Sequence, residues 1–130
     1  MAVSFLGPML QDPGQPWVLR NLRNQRIVAT HLEQAFDSAS RRKGLLGRTD
    51  LSQESALILA PCSGIHTCLM RFPIDVIFVT RDGTVARVVR ELAPWRVGIS
   101  PRAFAVVEVP SGTAARTDTR PGDVLQLETT

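Results

Sequence analysis

The stretch PCSGIHTCLMRFPIDVIFVT, from Pro61 to Thr80, holds the residues most able to carry chemistry and ends in the clearest strand of the chain. It contains both cysteines, one of the two histidines and one of the three methionines. Its apolar end is followed by Asp82-Gly83 and then by a second apolar segment, residues 84–92. Asp-Gly tolerates positive φ at both central turn positions, so this pattern predicts a β-hairpin.

The register of this hairpin follows from the length of its loop. A two-residue loop at Asp82-Gly83 places Ile77 opposite Val88 and Asp75 opposite Arg90. By the same count, Val79 lies opposite Ala86. We therefore expect Asp75 to form a structural ion pair with Arg90 at the end of an apolar face. Arg48 and Arg71 are alternative partners for this carboxylate.

Short strands predominate in the rest of the chain. Apolar runs and β-branched residues predict strands over 17–22, 25–32, 56–60, 103–109 and 124–128. A helix is predicted over 37–48, capped by Asp37 or Ser38 and ended by Gly47. The fold class is therefore mainly β, a compact single-domain sandwich or barrel of about seven or eight short strands with one or two short helices. We expect residues 1–16 to form a loose N-terminal arm and residues 17–130 to form the domain.

Composition excludes several function classes. The chain has 130 residues, 44% hydrophobic content and a net charge of +3, as expected for one soluble globular domain. Its basic residues are scattered and almost all are arginine, so we expect no nucleic-acid partner. Apolar runs are too short for a membrane helix and no secretory signal is visible, which leads us to expect a cytoplasmic protein without a membrane partner.

Three separated motifs carry a resemblance to a known family. They are RKGLLGR from Arg42, HTCLMRFPIDVIF from His66 with Asp82-Gly83 after it, and VEVPSGTA from Val107 with RPGD from Arg120. In order and spacing they resemble the bacterial and archaeal family called domain of unknown function number 192. The likeness covers roughly residues 17–128. The positions that match the family pattern are Gly44, Gly47, Arg48, His66, Met70, Asp75, Gly83, Gly112, Gly122 and Asp123.

This resemblance implies a small, mainly β domain with no established activity. The family has no agreed catalytic set, so none is carried over to this chain. Cys68 departs from the pattern, because relatives often have an aromatic residue there. The departure argues against a family-wide role for this thiol.

The candidate catalytic residues are Cys62, His66 and Cys68. A strand through residues 66–70 would place His66 and Cys68 on one face, where the imidazole could activate a thiol. The same three side chains are zinc-ligand types, but a structural zinc site needs four ligands, so we expect no metal. Two cysteines in the cytoplasm are expected to remain free thiols.

The preferred interpretation is a non-enzymatic small-ligand-binding or accessory domain with a cleft near His66, Met70, Arg71 and Trp95. No cofactor is expected, and the partner is a small molecule or a protein. The first alternative is a hydrolase or metal-dependent enzyme that uses Cys62, His66 and Cys68, and the second is a protein-interaction module. The candidate ligand-binding residues are Arg48, His66, Met70, Arg71, Asp75 and Trp95.

Overall fold

The structure, a computed structural model, describes residues 4–129, which contain ten strands and three short helices. In chain order they are α1 (Gly7–Gln11), β1 (Trp17–Asn21), β2 (Ile27–Ala29), β3 (His31–Ala35), α2 (Ser38–Lys43), β4 (Ser55–Leu59), β5 (Gly64–His66), β6 (Ile74–Val79), β7 (Val85–Leu92), β8 (Val97–Ile99), β9 (Ala105–Pro110), α3 (Thr113–Arg116) and β10 (Leu125–Thr129).

A five-stranded sheet with the order β3-β4-β9-β6-β7 lies at the centre of the fold. Strands β3 and β4 are parallel, and the other neighbours in this sheet are antiparallel. A three-stranded sheet, β10-β1-β2, and a two-stranded ribbon, β5-β8, complete the architecture. Mainly β structure in sandwich-like sheets confirms the predicted fold class, and the sheets do not close into a barrel.

Each face of the central sheet is covered by a separate apolar core. Ile58, Ile77 and Val107 point to the first core, which the three-stranded sheet and α1 cover. Leu59, Val76, Phe78 and Val106 point to the second, which the segment after α2 and the β5-β8 ribbon cover. Because β4, β6 and β9 are buried on both faces, they read as almost continuous apolar runs.

The predicted hairpin is present, but its register shifts at both ends. Ile77 lies opposite Val88 as predicted, whereas Val79 lies opposite Val85 rather than Ala86. Gly83, at φ 96°, closes the turn, and a Cβ there would lie 2.6 Å from the Leu125 backbone oxygen. Any other residue at this position would therefore clash with β10 as well as strain the backbone.

Other element bounds differ from the sequence prediction for local reasons. The segment predicted as one strand, 25–32, divides into β2 and β3, which belong to different sheets. Helix α2 ends at Lys43 because Gly44 adopts φ 48° and ψ −126°, outside the helical region. Residues 4–129 contain ten strands and three helices, whereas about seven or eight strands and one or two helices were predicted.

The expected N-terminal arm falls partly on residues 1–3, which lie outside the described residues. From residue 4 onward the segment packs on the first core, where the side chains of Leu6 and Met9 are each 1% exposed. Within residues 4–129, no helix has the length and apolar content that crossing a bilayer requires.

Candidate functional site

Glu108 on β9 is the unexpected residue of the second core. It lies between Leu57 of β4 and Val76 of β6 in the sheet register, and only 4% of it is exposed. None of the other residues in 4–129 donates a hydrogen bond to its carboxyl group. Burial of an unpaired carboxylate is costly, and desolvation accordingly raises the pKa of Glu108 to about 7, although the positive charge of Arg48 opposes this.

Helix α2 and the chain after it form one side of a cavity beside Glu108. The Asp37 carboxylate accepts a hydrogen bond from the Ser40 backbone N–H at 2.7 Å, and together they form a capping box that starts the helix. Arg41, Arg42 and Lys43 occupy its last turn. The sharp turn at Gly44 then brings the backbone against Glu108, because a Cβ built on Gly44 would lie 3.7 Å from Oε1.

The ribbon strand β5 and its flanking loops form the opposite side. The Cys62 thiol donates a hydrogen bond to the Gly64 carbonyl at 3.1 Å, and His66 Nδ1 accepts one from the Cys68 N–H at 3.3 Å. Met70 follows, 7% exposed, and packs into the second core. These contacts direct Cys62, His66 and Met70 to the same space as Glu108.

The resulting cavity has a volume of about 460 Å³, within the usual range for small-molecule sites. Its buried wall is apolar apart from Glu108, and its exposed margin is basic. The residues that line it are Ser38, Arg41, Arg42, Lys43, Gly44, Leu45, Leu46, Leu59, Cys62, Gly64, Ile65, His66, Met70 and Glu108. A cavity with an apolar wall and a few convergent polar groups is typical of ligand sites.

The structure brings together only some of the residues that the sequence singled out. Cys62, His66 and Met70 line the cavity, whereas Cys68, Arg71 and Trp95 are not among its lining residues. The strand through residues 66–70 that would place His66 and Cys68 on one face is not formed, because β5 ends at His66. Cys68 follows in a turn, and the next residue already has a positive φ of 66°.

Asp75 is paired in a different way from the one predicted. A register shift between Ile74 and Val76 removes it from a position opposite Arg90, so the predicted ion pair is wrong. Its fully buried carboxylate accepts hydrogen bonds from the backbone N–H of Glu91 at 2.8 Å, Gly112 at 3.1 Å and Ala114 at 2.9 Å. Asp75 thus connects β6 to β7 and to the start of α3, and Arg90 is exposed.

Arg48, another candidate ligand residue, forms an ion pair outside the cavity. Its guanidinium makes two hydrogen bonds with Glu33, at 2.8 and 2.7 Å, in the fork geometry that arginine and carboxylate favour. Hydrogen bonding to Arg48 lowers the pKa of Glu33. The ion pair anchors the loop after α2 to β3 and leaves Arg48 close enough to Glu108 to act on its charge.

In residues 4–129, no three side chains of the types His, Cys, Asp and Glu lie close enough together to hold a metal ion. Both cysteines are free thiols and half-buried.

The signal that could have revealed Glu108 was present in the sequence, as the one charged residue in the apolar run FAVVEVP. In a strand buried on both faces, a charge is an expensive exception.

Comparisons with known proteins agree with the fold and assign no activity. The model of the family DUF192, described as "Uncharacterized ACR", matches residues 19–127. A crystal structure of a protein of unknown function from Novosphingobium aromaticivorans DSM 12444 is similar, with a TM-score of 0.74 and 27% identity over 85% of this chain and 83% of that one. No curated protein matches.

A second similar crystal structure is that of a candidate transcription regulator from Sinorhizobium meliloti 1021. It has a TM-score of 0.72 and 22% identity over 85% of this chain and 90% of that one. At this identity the likeness shows the fold alone.

Proposed function

The chain belongs to the DUF192 family, whose description as uncharacterised names no activity, so from the geometry of the site we propose that it is a small-ligand-binding domain of the cytoplasm. The binding site is the cavity between α2 and β5. The observation that carries this proposal is Glu108, a carboxyl group 4% exposed that lines the cavity and receives no hydrogen bond from residues 4–129. A fold tolerates such a group most readily where a ligand supplies the missing hydrogen bonds.

The cavity is suited to binding by its division into two regions. Leu45, Leu59 and Met70 supply apolar surface, which favours transfer of a ligand from water. Polar groups at the margin and the Glu108 carboxyl group then fix the orientation of the ligand. Of the residues first predicted, His66 and Met70 keep a proposed binding role, and Glu108, Arg42 and Lys43 are added to them.

The two cysteines provide a matched test of this site. Cys62 lines the cavity and Cys68 does not, so N-ethylmaleimide on Cys68→Ser protein places a bulky group in the cavity. The same reagent on Cys62→Ser protein modifies a thiol outside it. We expect compounds that raise the melting temperature in a metabolite screen to lose their effect only when Cys62 is labelled. A screen without any stabilising compound, or with hits indifferent to Cys62 labelling, would contradict the proposal.

An enzymatic function is a second candidate because Cys62 and His66 line one cavity. Cys68 no longer belongs to this candidate. A catalytic pair requires a thiolate that reacts rapidly below neutral pH and slows when the imidazole is removed. Alkylation rates of Cys68→Ser protein with and without His66→Gln measure this directly, and equal rates in the two proteins would exclude the pair.

Protein interaction is a third candidate because four large apolar side chains are exposed on the β5-β8 ribbon and in the loops beside it. Their exposed fractions are 66% for Leu69, 60% for Trp95, 64% for Val97 and 54% for Ile99. Self-association is the simplest such interaction, and sedimentation velocity on wild-type and Trp95→Ser protein tests it. A concentration-dependent dimer that the variant loses would support this candidate, and a monomer at all concentrations would count against it.

A further inference from the structure

Two buried carboxylates on the central sheet have opposite surroundings. Asp75 faces the first core and accepts three backbone hydrogen bonds, so the fold itself satisfies it. Glu108 faces the second core, and none of residues 4–129 donates a hydrogen bond to it. A carboxylate held in this way is complementary to a cationic hydrogen-bond donor that arrives from the cavity.

The exposed margin of the cavity carries the opposite charge. Arg42 and Lys43 line it, and neither forms an ion pair with a carboxylate of residues 4–129. Arg41 is held beside them, because its Nη1 donates to the Phe36 carbonyl at 3.1 Å. A positive margin of this kind attracts the anionic group of a ligand.

Apolar side chains lie with Glu108 on the buried side of the cavity. Leu45 and Leu59 are 2% and 3% exposed, while Arg42 and Lys43 are exposed to solvent. The buried side of the cavity therefore holds a carboxyl group among apolar side chains, and the exposed margin holds cations. A ligand that matches this arrangement has a cation for the buried side, an anion for the margin and hydrocarbon between them.

We propose that the ligand is a dipolar amine–carboxylate, with its protonated amine on Glu108, its hydrocarbon part against Leu45 and Leu59, and its carboxylate at Arg42 and Lys43. This rests on the proposed function, because it names the class of ligand for the same cavity. An ω-amino acid has this chemistry. Both charges of the ligand are needed, since an amine alone meets the repulsion of three cations and an anion alone leaves Glu108 unpaired.

The pH dependence of binding follows from the groups that surround Glu108. The cations are Arg41, Arg42 and Lys43 of α2 and Arg48 of the following loop. The other titratable groups are Cys62 and His66, on the β5 side of the cavity. Burial raises the pKa of Glu108 to about 7. Only the ionised carboxylate attracts an amine, so affinity for the dipolar ligand should increase as pH rises through this value.

Calorimetric titration of the whole chain with three probes of one length tests the proposal. 6-Aminohexanoate carries both charges, hexanoate lacks the amine and hexylamine lacks the carboxylate. We expect 6-aminohexanoate to bind roughly tenfold or more tightly than either analogue at about pH 8, as expected when one charge-assisted hydrogen bond is gained.

Variants identify which residue meets which charge. Glu108→Gln should reduce the affinity for 6-aminohexanoate to that for hexanoate, and Arg42→Ala with Lys43→Ala should reduce it to that for hexylamine. Arg90→Ala removes an exposed cation away from the cavity and should change neither. Equal affinities for the three probes, or a preference that Glu108→Gln leaves intact, would overturn the dipolar assignment while the cavity remains a binding site. Failure of every probe, together with a negative metabolite screen, would instead overturn the proposed function itself.

Discussion

Replacement of Glu108 by glutamine should make the protein more stable at neutral and higher pH. The substitution keeps the size and shape of the side chain but removes a group that must ionise inside the second core. Only 4% of Glu108 is exposed, and desolvation raises its pKa from 4.5 to about 7. The folded protein therefore retains a proton that the unfolded chain releases.

The sign and the magnitude follow from proton linkage. Between about pH 4.5 and about pH 7 the folded state binds more protons than the unfolded state, so the free energy of unfolding falls as pH rises. The contribution of Glu108 is fully present below the lower value and is lost as pH rises through the upper one. Each pH unit corresponds to about 1.4 kcal/mol, so the wild type loses about 3 kcal/mol across this window relative to Glu108→Gln.

Urea unfolding followed by tryptophan fluorescence measures this difference. Wild-type and Glu108→Gln proteins should differ least at about pH 4.5, and at about pH 8 the variant should be more stable by about 3 kcal/mol. Glu54→Gln removes an exposed carboxylate and serves as the control, with a profile parallel to the wild type. Parallel profiles for Glu108→Gln and the wild type would refute the reasoning, because Glu108 would then ionise equally in both states.

Three further predictions concern Asp75, the two thiols and zinc. Asp75→Ala should lower the free energy of unfolding, measured with urea, by about 3 kcal/mol or more, because it leaves buried backbone N–H groups unpaired. Arg90→Ala should change this free energy by no more than about 0.5 kcal/mol. Equal losses for the two variants would contradict this prediction and support the ion pair between Asp75 and Arg90. Thiol counting on unfolded, unreduced protein should detect both Cys62 and Cys68, and a count of zero would reveal a disulfide. Elemental analysis of protein purified without an affinity tag should find no stoichiometric zinc, and zinc that disappears in Cys62→Ser protein would contradict this.

Several strands, the start of α2 and the centre of the hairpin could be predicted from short stretches of sequence. The apolar run Ala56–Ala60 became β4, and the capping residue Asp37 starts α2. The centre of the hairpin has the predicted register, with Ile77 opposite Val88. Side-chain alternation, capping and turn preferences act over a few residues and can be read directly from the chain.

The failures have a common physical cause, which is that they depend on contacts between distant segments. The pairing of Asp75 with Arg90 failed because a register shift at Ile74–Val76 turned its carboxylate toward α3, 37 residues later in the chain. Arg71 and Trp95 do not line the cavity that His66 lines, so their binding role stays a prediction.

The sequence by itself determined a mainly β domain and the family resemblance, and it indicated the region of Cys62, His66 and Met70 as part of a candidate site. Only the tertiary structure decided that Glu108 lines the same cavity as these residues. Its charge is visible in the sequence, but whether a carboxylate is paired depends on which segment covers it. Here α2 and β5 flank Glu108 without donating a hydrogen bond to it. Its carboxyl group therefore faces the cavity without a hydrogen bond from these elements.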